Sequence, residues 1–242
     1  MATSENLKRL ATTFTVRDIM VTTGALKCAS GELDAVVVSD ANSEFSFIPI
    51  LQENRLSMYY CRDTGGVSHI GVSDLISDGT GVLDLVDVLE HREFAFVQGL
   101  RQIDGYVHFS DLNHSLVKLT FYVLLEGVER FALESVRTGL TNAFLNETLG
   151  ENRFGQIQRA YERSGDAGQS VINYLNIADA LKLAREGGKL EIEDCLIQAI
   201  KRVRDGAAHV LENLVSDYSD VKTLADVKSQ CLRVLQHVKP AT

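Results

Sequence analysis

Near the C-terminus, the run Arg204-Asp205-Gly206-Ala207-Ala208-His209 sets an arginine and a histidine five positions apart, with an aspartate directly after the arginine. These residue types suit RNA phosphodiester chemistry. A guanidinium holds a phosphate through parallel N–H donors and offsets the charge growing on it. An imidazole moves a proton near neutral pH. The competing role is ordinary: a solvated helix arginine and a histidine that caps or packs. On one continuous helix a five-residue step turns about 500°, leaving the two side chains about 140° apart. To meet at one phosphate they need a bend, with Gly206 as the weak point, or a second copy brought in by two-fold symmetry. The spacing is therefore a reason to expect a homodimer.

Other chemistries lack their residues. Cys28, Cys61, Cys195 and Cys231 are far apart with no CxxC pair, which argues against a zinc site and a disulfide framework. This usage fits a reduced, cytoplasmic compartment. His69, His91, His114 and His237 fall in loops or near element ends, where solvated roles are common. No His/Cys/Asp/Glu set has metal-ligand spacing, and P-loop, G-x-S-x-G and paired-carboxylate motifs are missing. The segment Met1–Arg9 is polar and has no signal-peptide h-region, and no apolar run reaches the roughly 20 residues of a membrane span.

The net charge of −9 argues against nucleic acid until its distribution is read. Residues 1–115 hold 8 basic and 16 acidic side chains, whereas residues 116–242 hold 16 and 17, so the acidic excess lies in the first half. Basic clusters occur at Lys201, Arg202 and Arg204 and at Lys182, Arg185 and Lys189. Transient RNA contact is compatible with this. Tight binding to duplex DNA, which needs many phosphate contacts, is not expected.

Two patterns divide the chain. Up to about residue 115, short strands alternate with short helices. Strands are expected at Ala35–Val38, Ser46–Leu51, Leu56–Cys61, Phe94–Gln98 and Gly105–Phe109. Hairpin turns are expected at Glu53-Asn54-Arg55 and near Asp104-Gly105, and a short helix at Val82–Leu89. Pro49 suggests an edge strand or a bulge. The strand–turn–strand units ending at Asp63 and Asp111 lie 48 residues apart, a plausible module length. From Leu116 the pattern is helical. A strongly apolar helix, Leu116–Val136, is capped by Asn113 or Ser115. Helices follow at 154–164, 168–186, 191–205 and 221–238, with a stop at Gly187-Gly188. The expected class is α+β, an α/β module over 10–115 followed by an all-α bundle over 116–240.

Within the first module, Gly105-Tyr106-Val107-His108-Phe109-Ser110-Asp111-Leu112 resembles the signature of the CBS (cystathionine-β-synthase-type) domain. Tandem pairs of that domain bind adenine nucleotides. In the family a Thr or Ser three residues before the Asp contacts phosphate, and the Asp takes the ribose hydroxyls. Here His108 stands in the Thr/Ser place and Asp111 is kept, with Ser110 as a substitute if it faces the same cleft. Tyr60 and Asp63 occupy the matching places in the first copy. The resemblance implies a nucleotide site at Asp63, Gly105, His108, Ser110 and Asp111, with an ATP- or AMP-type molecule as regulatory ligand. The competing role of Asp111 is to cap the following helix.

The bundle resembles the HEPN (higher eukaryotes and prokaryotes nucleotide-binding) superfamily, whose Arg-x4–6-His motif is matched by Arg204, Asp205 and His209. Many members of that superfamily are dimeric, metal-independent ribonucleases, and others only bind partners. The resemblance implies that Arg204 holds the scissile phosphate, His209 transfers protons at the 2′-OH or the leaving oxygen, and Asp205 orients one of them. Products would carry 2′,3′-cyclic phosphate ends, and no cofactor is required. Glu126 in the first bundle helix is a further candidate for the cleft, although a surface role is the commoner one. The expectation is a nucleotide-regulated ribonuclease working as a homodimer. The alternative is a non-catalytic adenine-nucleotide sensor that regulates a protein partner.

Overall fold

Val82, Leu85, Val86 and Leu89 recur with the helical period, and they bury one face of a helix, α1 (Val82–Leu89), completely. This is a computed structural model that describes residues 13–22, 47–52, 55–165, 170–209 and 211–236. The expected strand Ala35–Val38 lies outside the described residues. So do Met1–Arg9, Cys28, Ser46, Glu53, Asn54, His237, the start of the 168–186 helix and the end of the 221–238 helix. The described residues are α+β, with sheets in the N-terminal part and helices in the C-terminal part. Residues 14–116 form one compact unit, and the chain from Val117 onward forms the other.

The strands of the first unit are β1 (Val21–Thr22), β2 (Phe47–Gln52), β3 (Arg55–Cys61), β4 (Gly66–His69), β5 (Leu75–Ser77), β6 (Phe94–Gln98) and β7 (Ile103–His108). They make a four-stranded sheet in the order β1-β7-β6-β5 and a three-stranded antiparallel sheet β2-β3-β4. β5 and β6 are parallel, joined through α1 as a crossover. Phe47 and Tyr59 of the small sheet meet Phe94 and Phe96 of the larger one, with ring centroids between 3.9 and 5.5 Å apart across the two sheets. Pro49 lies on the edge strand β2, one residue before a register shift at Ile50/Leu51, so its missing donor leaves no gap in a central ladder.

The hairpin turn expected near Asp104-Gly105 is elsewhere. Both residues lie inside β7, and the chain reverses at 99–102, where the Gly99 N–H donates to the Gln102 carbonyl at 2.9 Å. Gly105 serves a close approach instead. A Cβ there would lie 2.3 Å from the Val21 carbonyl oxygen, so β1 can pair with β7 only over a glycine.

In the second unit, α2 (Ser115–Val136) forms where the apolar run is. The first-turn N–H of Leu116 is accepted by the His114 imidazole at 3.3 Å, a capping role expected of Asn113 or Ser115. α3 (Asn142–Leu149) was not apparent from periodicity. The Thr141 hydroxyl starts it, accepting the Phe144 N–H at 3.2 Å, and Gly150, at φ +80°, separates it from α4 (Glu151–Ser164). The helix expected over 168–186 is a 3-10 turn, Val171–Tyr174, followed by α5 (Ile177–Glu186). Asn176 and Asp179 break it by exchanging side-chain bonds with each other's backbone N–H groups at 3.0 Å. α6 (Asp194–Ala208) and α7 (Ser219–Gln236) complete the unit.

Gly105→Ala forces a Cβ against the Val21 main chain. It is expected to lower stability by about 1–3 kcal/mol. The check is the urea midpoint at constant m; an unchanged midpoint would show that β1 is not seated on β7.

Candidate functional site

α6 buries Ile197, Ile200, Val203 and Gly206, a stripe of three-residue steps, and this sets Arg204 and Asp205 at the margin of the core. The Arg204 and Asp205 side chains are 37% and 39% exposed, with Nη1 of Arg204 4.0 Å from the Asp205 carboxylate. Lys201, one turn earlier, donates to the same carboxylate at 3.1 Å. Asp205 is thus held between two cations of its own helix. The helix runs through Gly206 to Ala208, so it is not broken at Gly206, the weak point for one of the two ways to bring the pair together. His209 instead leaves the helix, exposed and extended at φ −109° and ψ 123°, and its N–H closes the last turn onto the Asp205 carbonyl at 3.1 Å. The angular separation that holds on a continuous helix therefore does not fix the imidazole's direction.

Gly206 has a different use. A Cβ at this position would sit 3.0 Å from the Asn213 carbonyl oxygen and 3.6 Å from Leu214. The chain after His209 folds back against α6 here, and Leu214 and Val215 are buried.

A second acid that interacts electrostatically with Arg204, besides Asp205, is Glu129 of α2, which sequence reasoning missed. Burial raises the pKa of Glu129, the Arg204 charge lowers it, and the charges of Glu126 and Asp179 raise it further. Asp179 is buried, and Arg153 donates to both its oxygens, with Nε at 3.2 and 3.1 Å. Glu126, the expected candidate, is half exposed and 3.8 Å from Arg130 on the same helix. A signal for Glu129 was present. It continues the row Val117, Phe121, Leu125 at four-residue steps, and the first three of these are fully buried.

The five residues expected to bind nucleotide lie in the other unit. His108 and Asp111 form a capping box around a 3-10 turn, Phe109–Asn113, at the end of β7. Asp111 accepts the His108 N–H at 2.8 Å, and the His108 ring is 2.9 Å from the Ser110 hydroxyl. Burial lowers the His108 pKa. It also raises that of Asp111, against the opposing His108 N–H bond and the His114 charge. The carboxylate half of this box recurs where Asp18 accepts the Thr15 N–H and where Asp74 accepts the Gly71 N–H, each at 2.8 Å. Gly71-Val72-Ser73-Asp74-Leu75 after β4 is thus the backbone counterpart of His108-Phe109-Ser110-Asp111-Leu112 after β7. Asp63, expected to match Asp111, is in an exposed turn between β3 and β4. An open cleft of about 370 Å³ lies at the carboxyl ends of β5 and β6, lined by Ile76, Ser77, Asp78 and Gln98 among others. None of Asp63, Gly105, His108, Ser110 or Asp111 lines it.

Among the described residues, no group of three His, Cys, Asp or Glu could hold a metal ion, and no helix is long and apolar enough to cross a membrane. Cys61, Cys195 and Cys231 are free thiols, and burial pushes the Cys231 pKa up to about 12. No protein-family model, curated protein or solved structure matches the chain.

Glu129 supplies a pH test. Its folded-state pKa is raised, so over the range from 4.5 up to that value the native state binds more protons than the unfolded state, and stability falls as pH rises. Glu129→Gln stays neutral and is expected to lose this decline. Urea unfolding between pH 4 and 7 reads it; parallel curves for the two proteins would refute the assignment.

Proposed function

We propose that the helical unit is a metal-independent ribonuclease of the HEPN type, acting on RNA as a homodimer under the control of an adenine nucleotide. The observation that carries this reading is the end of α6. An exposed imidazole there follows, by five positions, a part-exposed guanidinium whose charge is felt by a half-buried carboxylate, Glu129.

In this reaction the 2′-OH of one nucleotide attacks the adjacent phosphorus. A base takes the 2′-OH proton, and the P–O5′ bond breaks. The leaving 5′-oxygen is protonated, giving a 2′,3′-cyclic phosphate and a 5′-OH. His209 performs proton transfer, and in a symmetric pair the two copies divide the roles of base and acid. Arg204 binds the non-bridging oxygens and offsets their growing charge. Asp205, fixed by Lys201, limits the freedom of Arg204. Because His209 and Arg204 supply proton transfer and charge, the reading requires no metal.

The ligand of the N-terminal unit is read from its resemblance to CBS pairs. Asp111, with Asp74 as its counterpart, is the residue for a ribose. A second reading, a non-catalytic sensor acting on a protein partner, is favoured by the acids Asp205 and Glu129 that already face Arg204.

His209→Ala is expected to lower RNA cleavage in EDTA by about 10²- to 10⁴-fold. Because the side chain is exposed, stability should change by no more than about 0.5 kcal/mol. Unfolding of this variant would assign His209 to packing, and equal cleavage by both proteins would remove it from the chemistry. For the sensor function, ATP or AMP at 100 times its Kd should add about 2.7 kcal/mol of stability in a thermal shift. No shift with either nucleotide would contradict adenine-nucleotide binding.

A further inference from the structure

We propose that Lys118 is a positioning residue for His209, acting through the main chain that follows α6. The inference rests on the reading of His209 as the proton-transfer group. Lysine is rarely buried unless its ammonium is engaged, and Lys118 is 8% exposed in the first turns of α2, beside the fully buried Val117 and Phe121. Its ammonium reaches across the unit to two main-chain carbonyls, those of His209 at 3.5 Å and of Glu212. A charged donor on a carbonyl makes a stronger bond than a neutral one.

Together with local bonds, this commits both backbone groups of His209. The N–H is bound by the Asp205 carbonyl at the end of α6. The carbonyl accepts from Lys118 and, at 3.3 Å, from the Glu212 N–H. With both groups held, the extended backbone at 209 is fixed, and so is the direction in which its Cβ leaves the chain. The fold-back of Asn213 across Gly206 anchors the far end of the same segment. Lys118 does not touch the substrate in this account. It sets where the imidazole starts, and a displacement of about 1 Å at a reacting group can cost about 10²-fold in rate.

The test compares Lys118→Met, which keeps length and apolar bulk but loses the donor, with Lys118→Arg, which keeps a charged donor. In K118M, amide exchange at residues 209 and 211–213 should speed up at least about tenfold while the middle of α6 stays protected. RNA affinity should stay within about twofold, and cleavage at saturating RNA should fall about 10²-fold. K118R should recover part of both the protection and the rate. A purely structural lysine would change stability without this split between binding and turnover. Unchanged exchange at 209–213 in K118M, or faster exchange with an unchanged rate, would overturn the proposal. Should K118M fail to fold, K118Q is measured in the same way. Absence of cleavage by the wild-type protein would sink the ribonuclease reading, and the exchange data would still decide whether Lys118 holds the His209 main chain.

Discussion

The chain leaves α6 at His209 and returns closely across it at position 206, where a side chain would force the returning segment outward by a few tenths of an ångström. With the Asn213 carbonyl 3.0 Å from where a Cβ would be, the helix surface is open at one point, and the segment after His209 closes onto it. The rest of the site follows from that contact. The fold-back buries Leu214 and Val215 and brings the Glu212 carbonyl to Lys118. It leaves the His209 side chain outside, at the end of a helix whose last turns hold Arg204 and Asp205. A histidine within the helix would point where the helical period dictates. One residue past the end, it points where the loop sends it.

Electrostatics limit how this surface could meet RNA. The basic clusters visible in the sequence are largely satisfied within the chain. Lys201 pairs with Asp205, Arg202 lies 3.4 Å from Asp220, and Arg185 bonds Asp194 and Glu186. Such pairs contribute little stability where they are exposed, but they reduce the positive field offered to phosphates. Together with the net charge of −9, this favours brief engagement of a few phosphates over a long basic groove, and hence a shallow dependence of affinity on salt. Burial raises the pKa of Glu129, a further acid that interacts with Arg204, which makes the charge balance around Arg204 responsive to pH.

The coarse class was legible because it rests on period. α1 and α2 bury long apolar rows, and β2, β3 and β6 are apolar runs between turn signals, so each was found to within a residue or two. Elements that depend on tertiary partners were not legible. β1, β4 and β5 have two to four residues, and they are strands because a neighbour pairs with them. Gly105 looked like a turn because glycine permits both a turn and a close approach, and only the position of Val21 distinguishes them. Side-chain caps at Asn176 and Asp179 split a helix that periodicity alone would continue. At the candidate site, Arg204, Asp205 and His209 were singled out from their types and spacing, and the structure places them at the end of α6. Glu129 and Lys118 were not, because a charged residue in an apolar row has no visible partner until distant segments meet.

The central claim is that the exposed end of α6 carries out transesterification at the 2′-oxygen of RNA. The most direct measurement takes one RNA that the wild-type protein cuts in EDTA. It compares that RNA with a version carrying a single 2′-deoxy nucleotide on the 5′ side of the cut. The account predicts that this position alone becomes resistant, while other cuts continue to leave 2′,3′-cyclic phosphate ends. Continued cutting at the deoxy position, or products with 5′-phosphate ends, would contradict it.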